Sequence, residues 1–404
     1  MTAAAADEVR AERDIVGVWC GCVLLAAVVL IPVLGWLAPL GFAGLLALMG
    51  LLSLPAIRMT DEDRPVLIVL LAALVWAAVS TTWSPYHPKN ASTSTVLKLA
   101  FMLPLGWSAV CGARRADPRL RNWALRILTW GLGVFGAVLL VEGFTGGELY
   151  RRLHVAFYEP IRPDLAQANV AHATFVLALL WPAALLGGLR TRWEAWLLVP
   201  IVAAGTLLAA HEFKGDAPVI AVPLAALVAL AVWRWPRAAP KALAAMAAVL
   251  FLTMPGIVWA VRATGDYGVI ESDIPLSWSM RMGYWSHAID WIRDRPLRGW
   301  GLDASRMMGP GIQLHPHNGE LQAWLELGAV GAVAAAAFWW LSLSRLSRPA
   351  SDRTAAGVAA SATIFLLFGT LNFGIWQEWW LGLGGLLVVI AAMQAPRPPA
   401  RTST

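Results

Sequence analysis

His315, Pro316, His317 and Asn318, followed by Gly319, Glu320, Leu321 and Gln322, close a long polar loop just before the apolar segment from Ala323 to Leu343. Imidazole is the side chain most readily poised to move a proton near neutral pH. Two imidazoles at the start of a transmembrane segment put proton-transfer chemistry at a membrane boundary. Asn318 suits the N-cap of the helix that follows, with Gly319, Glu320 and Leu321 as its first turn. The positive end of that helix then faces the loop, where unpaired amides favour a bound phosphate and oppose protonation of His317. A neutral His317 can act as a general base. His315 is the alternative base, and either ring would also serve as a hydrogen-bonding group at a loop corner.

The elements that must position these residues are membrane helices. The chain is 58% hydrophobic and only 14% charged, with 23 tryptophans among 404 residues, a composition that excludes a soluble globular protein. A span needs roughly 20 mostly apolar residues, and about twelve segments meet that need. They begin near Ile15, Leu37, Pro65, Ser94, Leu120, Asn169, Trp193, Ala217, Ala242, Leu321, Thr354 and Trp379. The expected fold is an all-α polytopic integral membrane protein. The first segment reads as an anchor, since acidic and basic residues mix before it and another apolar segment follows at once.

Lys and Arg in short connections mark the cytoplasmic side. Arg58 and Arg64, the cluster Arg114, Arg115, Arg119 and Arg121, then Arg190 and Arg192, Arg234, Arg237 and Lys241, and Arg345, Arg348 and Arg353 occupy alternate connections. This pattern puts both termini in the cytoplasm. Three parts follow: 1–261 with nine spans, a large far-side loop over 262–319, and 320–404 with three spans and a cytoplasmic tail. The net charge of +6 is explained by these topology residues, so no nucleic-acid partner is implied. Cys20, Cys22 and Cys111 all fall inside spans and read as packing residues rather than a disulfide framework.

No internal repeat is evident, and the ionisable residues within spans, Lys98, Arg126, Glu142, His172 and Glu326, are too few for an ion relay; a transporter reading loses support. Basic residues on the far side work against the orientation rule and need another reason, for which an anionic substrate is the candidate. They include Arg151, Arg152 and Arg162, then Lys214 in the turn from His211 to Asp216, then Arg262, Arg281, Arg293, Arg295, Arg298 and Arg306. Met282, Trp285, Ile289 and Ile292 recur at helical spacing, predicting an amphipathic helix over Arg281 to Arg293 along the membrane surface, ended by Pro296. Gly299 and Gly301 would turn the chain back toward the membrane. Trp285, Trp291 and Trp300 could stack on sugar rings or sit in an interfacial belt, and Glu142, His172, Asn372 and Glu378 could line a cavity or simply join helices.

Arg281 with Trp285, then Pro296-Leu297-Arg298-Gly299-Trp300-Gly301, Pro316-His317-Asn318, Leu321-Gln322, and Glu326-Leu327-Gly328 with Gly331 resemble the O-antigen ligase and polymerase superfamily. Their order and spacing match the domain around that superfamily's large periplasmic loop and next helix, roughly a quarter of this chain. The resemblance implies a metal-independent glycosyltransferase of the GT-C type in a Gram-negative inner membrane. Its donor would be O-antigen on undecaprenyl pyrophosphate, its acceptor the lipid A-core oligosaccharide, and its surroundings membrane lipids, with no cofactor. It also implies an Arg near the membrane before the large loop and another within it, acting with the His. By position these are Lys214, which departs from the family's more usual Arg, Arg281 and His317. Substrate contacts are expected from His315, Asn318, Arg162, Arg298 and Trp285. An O-antigen polymerase or protein O-oligosaccharyltransferase using the same donor is the alternative, and a lipid-linked glycan flippase the next.

The chemistry suits these residue types. Displacing a lipid pyrophosphate from an anomeric carbon moves negative charge onto the leaving group, which Arg281 and Lys214 could stabilise. Removing the acceptor hydroxyl proton could add about 100- to 10,000-fold in rate, the role expected of His317. A single displacement inverts the anomeric configuration. A divalent metal could replace the cations, but the first two far-side connections lack Asp and Glu, leaving Asp266, Glu271 and Asp273 as the one plausible cluster, more readily solvated or paired to Arg262.

Overall fold

The computed structural model describes residues 14–157, 159–265, 267 and 274–394. Among them the secondary structure is helical, with no strand. The helices are α1 (Ile15–Leu37), α2 (Phe42–Leu52), α3 (Arg64–Ser80), α4 (Thr95–Arg115), α5 (Pro118–Thr145), α6 (Glu148–Phe157), α7 (Pro163–Gly188), α8 (Arg192–Glu212), α9 (Asp216–Arg234), α10 (Ala239–Ala263), α11 (Leu276–Asp294), α12 (Gly319–Ser344), α13 (Arg353–Leu371) and α14 (Glu378–Gln394). Nine of these described helices are long and apolar enough to cross a membrane: α1, α4, α5, α7 to α10, α12 and α13. The remaining three expected spans fall on shorter apolar helices, Pro39–Leu52, Arg64–Ser80 and Glu378–Gln394. At about 1.5 Å per residue, the last two reach roughly 26 Å, a little short of a hydrocarbon core of about 30 Å.

The helices pack in pairs, α1 on α5, α5 on α8, α7 on α13, α9 on α13 and α10 on α12. α7 lies deepest, with 72% of its most apolar window buried, so it faces protein rather than lipid. Small residues bring backbones together where lipid offers no hydrophobic drive to associate. A Cβ on Gly205 of α8 would approach the Gly136 carbonyl of α5 to 2.0 Å, so this pair must stay side-chain-free to close the α5–α8 seam. Several polar groups of the bundle are paired across helices: Lys98 with Glu378, Arg126 with Glu194 at 2.6 Å, and Glu142 Oε1 with the Trp36 indole at 2.9 Å.

α11 begins before the predicted Arg281 and ends at Asp294, with Pro296 beyond it. Met282, Ile289 and Ile292 are buried in a cluster with Met254 and Val258 of α10 and Leu321 and Leu325 of α12. Its apolar stripe therefore packs on two of the long apolar helices.

α12 is broken once. Gly328 adopts φ 66° and ψ −161°, a combination essentially confined to glycine. The groups freed by the break are taken up by neighbours, as buried backbone in a membrane requires. Trp300 N–H donates to the Leu325 carbonyl, Gly301 N–H to Glu326, Ala329 N–H to Pro296, and the Trp76 indole to Leu327. The Pro296-to-Gly301 segment is thus laced onto the middle of α12.

Candidate active site

A cavity of about 520 Å³ opens where the α8–α9 turn, the start of α11, the His317 turn and the α13–α14 connection converge. Lys214, Asp216, Arg281, His317 and Asn372 contribute to its wall, with His172 of α7 and Trp379 of α14. Lys214, Arg281 and His317, far apart in sequence, are brought together here.

Each is held by local backbone logic. α8 stops at Glu212, and Gly215 N–H closes back on the Ala210 carbonyl at 2.6 Å, leaving Lys214 exposed between two helices at φ 57°. His317 also has a left-handed backbone, φ 54°. Such conformations cost L-residues about 1–2 kcal/mol, and strain of this kind gathers at functional sites. Immediately after it, Asn318 caps α12, its side chain accepting from Leu321 N–H at 2.8 Å. The first turn of α12 is buried, Gly319 against Ile375, and does not belong to the cavity wall, so its amides are not placed for the phosphate contact expected of them.

The His317 tautomer follows from one contact. Nδ1 lies 2.7 Å from the Asn372 carbonyl oxygen, which only accepts, so Nδ1 carries the proton and Nε2 keeps its lone pair. Burial lowers the pKa of His317, the Asn372 contact partly opposes this, and the nearby Arg281 charge lowers it further. The ring is therefore a neutral base at pH 7. Tyr284 stacks beside it, ring centroids 6.0 Å apart.

Arg281 stands over the Trp278 ring at 5.1 Å, and the Trp278 indole donates to Asp216 Oδ2 at 2.9 Å. Burial lowers the Arg281 pKa more than Asp216 raises it. A guanidinium disfavoured by desolvation is one that an incoming anion stabilises.

The other expected contacts fall elsewhere. Arg162 is exposed and pairs with Asp164 at 2.7 Å. Arg298 lies over the Trp83 ring at 5.7 Å, and Trp285 donates to the Pro316 carbonyl at 3.0 Å, supporting the His317 turn from behind. His315 is buried, 9% exposed, beside the cavity rather than in its wall. Trp291 and Trp300 meet edge to face at 4.8 Å, with Arg295 over Trp300, and the cavity's indoles are Trp278 and Trp379 instead. Several of the other expected anion-binding cations have carboxylate partners: Arg151 and Arg152 with Glu148, Arg262 with Asp290, Arg306 with Asp303. Of the possible cavity residues, His172 and Asn372 are in the wall, while Glu142 and Glu378 are engaged as described above. Among the described residues no group of three His, Cys, Asp or Glu is placed to hold a metal ion; Asp266, Glu271 and Asp273 lie outside them.

Trp278, Asp216 and Gln377 escaped the sequence reading. Trp278 was within reach of it, since it stands three residues before Arg281 on one helix face. Nothing in the sequence around Gln377 signals its place.

Residues 215–336 match the family model for O-antigen ligase. A protein of Rickettsia conorii named "Putative polysaccharide ligase" is 27% identical over 124 residues, 27% of this chain and 30% of that relative. One of Rickettsia prowazekii with the same description is 28% identical over 135 residues, covering 29% and 32%. The chain thus aligns with about a third of the length of these relatives. No solved structure matches it. The matched segment begins just after Lys214 and contains Arg281, His317 and Gly328.

Proposed function

We propose that this protein is an O-antigen ligase. It transfers a glycan from undecaprenyl pyrophosphate to the lipid A-core oligosaccharide at the periplasmic face of a Gram-negative inner membrane, with both termini in the cytoplasm and a GT-C type architecture. The observation that carries the reading is the shared cavity wall of Lys214, Arg281 and His317, in which His317 keeps an uncommitted Nε2 lone pair.

In this reading the acceptor sugar hydroxyl attacks the anomeric carbon of the donor. His317 Nε2 takes the hydroxyl proton as the new glycosidic bond forms. The bond from the anomeric carbon to the pyrophosphate oxygen breaks, and its electron pair leaves with undecaprenyl pyrophosphate. Arg281, already desolvated, and Lys214 stabilise the charge that gathers there. Lys214 acts as a point charge rather than a two-pronged grip, so directional recognition of the phosphates falls to Arg281. One displacement inverts the anomeric centre, and the two fixed cations do the work that a divalent ion does elsewhere.

Purified protein incubated with undecaprenyl pyrophosphate-linked O-antigen and lipid A-core should yield lengthened lipopolysaccharide on a gel, and release undecaprenyl pyrophosphate. Growth of the lipid-linked polymer without transfer to lipid A-core would replace the ligase reading with a polymerase. Movement of intact donor across a vesicle membrane, without release of pyrophosphate, would replace it with a flippase.

A further inference from the structure

The turn before α12 carries two imidazoles, and the cavity reaches only one. His315 Nδ1 accepts the backbone N–H of His317 at 3.2 Å. Its Nε2 lies 3.2 Å from the Gln377 amide nitrogen. Since Nδ1 accepts, the neutral ring carries its proton on Nε2, and the Gln377 side-chain oxygen, which has no other hydrogen-bond partner among the described residues, is the matching acceptor once the amide turns it to the ring. The ring lies against Gly374, where a Cβ would come within 2.9 Å of it, and its centroid is 4.1 Å from that of His317.

A side-chain acceptor that holds the main-chain N–H two residues ahead is the pattern of an Asx turn, normally made by Asn or Asp. Here an imidazole makes it, and the residue it holds is the left-handed His317. We propose that His315 is a positioning residue: its Nδ1 lone pair fixes the backbone of His317 so that His317 Nε2 serves the cavity, and His315 itself neither touches substrate nor accepts its proton. The inference rests on the reading of His317 as the base.

Both ring nitrogens of His315 are engaged within the protein, so no lone pair remains for an acceptor hydroxyl. Its pKa is pushed down to about 3 by burial first, then by the neighbouring His317 and Arg306. The ring therefore stays neutral, and the Nδ1 acceptor is retained wherever the protein works.

The test compares His315→Asn, His315→Ala, His317→Ala and the double variant His315→Ala/His317→Ala, with transfer of undecaprenyl pyrophosphate-linked O-antigen to lipid A-core as the assay and thermal unfolding in detergent as the control. Asn can make the same turn, so His315→Asn should keep kcat within about 3-fold, whereas His315→Ala should lose roughly 10- to 100-fold, the scale of a misplaced catalytic group. KM for both substrates should stay within about 2-fold in each. In the His317→Ala background, removing His315 should cost nothing further, because residues that act as one unit are not additive. A folded His315→Asn protein that has lost as much kcat as a folded His315→Ala, or more than about 10-fold where the Ala variant does not fold, would overturn the proposal, as would a rise in KM at unchanged kcat. Full activity of His315→Ala beside an inactive His317→Ala would also overturn it while leaving the base reading intact. Full activity of His317→Ala would remove the base reading itself.

Discussion

Gly299 and Gly328 meet backbone to backbone: a Cβ on either would come within 2.6 Å of the main-chain nitrogen of the other. Both have left-handed φ, 68° and 66°. Around them three main-chain hydrogen bonds join the Pro296-to-Gly301 strip to α12: Trp300 N–H to Leu325 at 2.9 Å, Gly301 N–H to Glu326 at 2.7 Å and Ala329 N–H to Pro296 at 2.8 Å. The contact joins the large loop to the middle of the helix that begins just after the His317 turn.

Gly328→Ala should therefore unseat the site from a distance. With φ 66° and ψ −161° the backbone alone would cost about 1–3 kcal/mol with a Cβ, and that Cβ would also meet the Leu297 carbonyl oxygen at 2.4 Å. A lower unfolding temperature in detergent, with loss of transfer, is the expected outcome. An Ala variant as stable as wild type would mean that the strip and α12 separate at little cost.

The two glycines were legible as members of short motifs, and Gly299 as a turn, but not as partners, because a contact between a loop and a broken helix leaves no periodic trace. Most of the helix positions were legible, since a membrane demands long apolar runs and caps such as Asn318 announce themselves. The cavity was partly legible: Lys214 and Arg281 stood out as cations in connections that the charge pattern assigns to the side where cations are disfavoured. Arg162 stood out equally and proved to face Asp164 at 2.7 Å, since sequence shows a charge but not its partner. The Asn372 carbonyl that sets the His317 tautomer belongs to main chain, which every residue has, so its role was invisible.

The acid limb of the transfer rate should lie below the ordinary imidazole pKa of about 6.5. Burial and the Arg281 charge lower the pKa of His317, so its base form persists as pH falls past that value and is lost only on further acidification. Arg281→Gln removes the lowering charge and should move the limb up in pH, besides slowing transfer. Measurement of kcat/KM from pH 4 to 8 for both proteins checks the sign. A limb above 6.5 in wild type, or one that moves down in the variant, would contradict the assignment.

Glu326 accepts four hydrogen bonds with its two oxygens: from Asp303 N–H at 2.8 Å, Ser305 Oγ at 2.6 Å, Gln322 Nε2 at 3.0 Å and the Trp376 indole at 2.6 Å. It ties the loop, α12 and the α13–α14 connection behind the His317 turn. Glu326→Gln would turn an NH2 donor against other donors, leaving buried groups unmatched at about 1–3 kcal/mol. Reduced thermal stability is expected, with substrate KM little changed in the protein that folds. Unchanged stability would show that the network tolerates a donor.

Lys214 sets stability against activity in one residue. Its φ of 57° is unfavourable for a side chain with a Cβ and costless for glycine. Lys214→Gly should leave the unfolding temperature unchanged or higher, while removing a cation from the cavity that the pyrophosphate would enter. Loss of one group stabilising developing negative charge typically costs about 100- to 1,000-fold in kcat. Lys214→Arg keeps the charge and the strain and should retain most of the rate. If the cations serve in place of a metal, a chelator should change none of these rates by more than about 2-fold, and added Mg²⁺ should not rescue Lys214→Gly; rescue by the ion would show that the site can take a metal after all. A Gly variant that is both less stable and fully active would mean that Lys214 is retained for the turn and not for the chemistry.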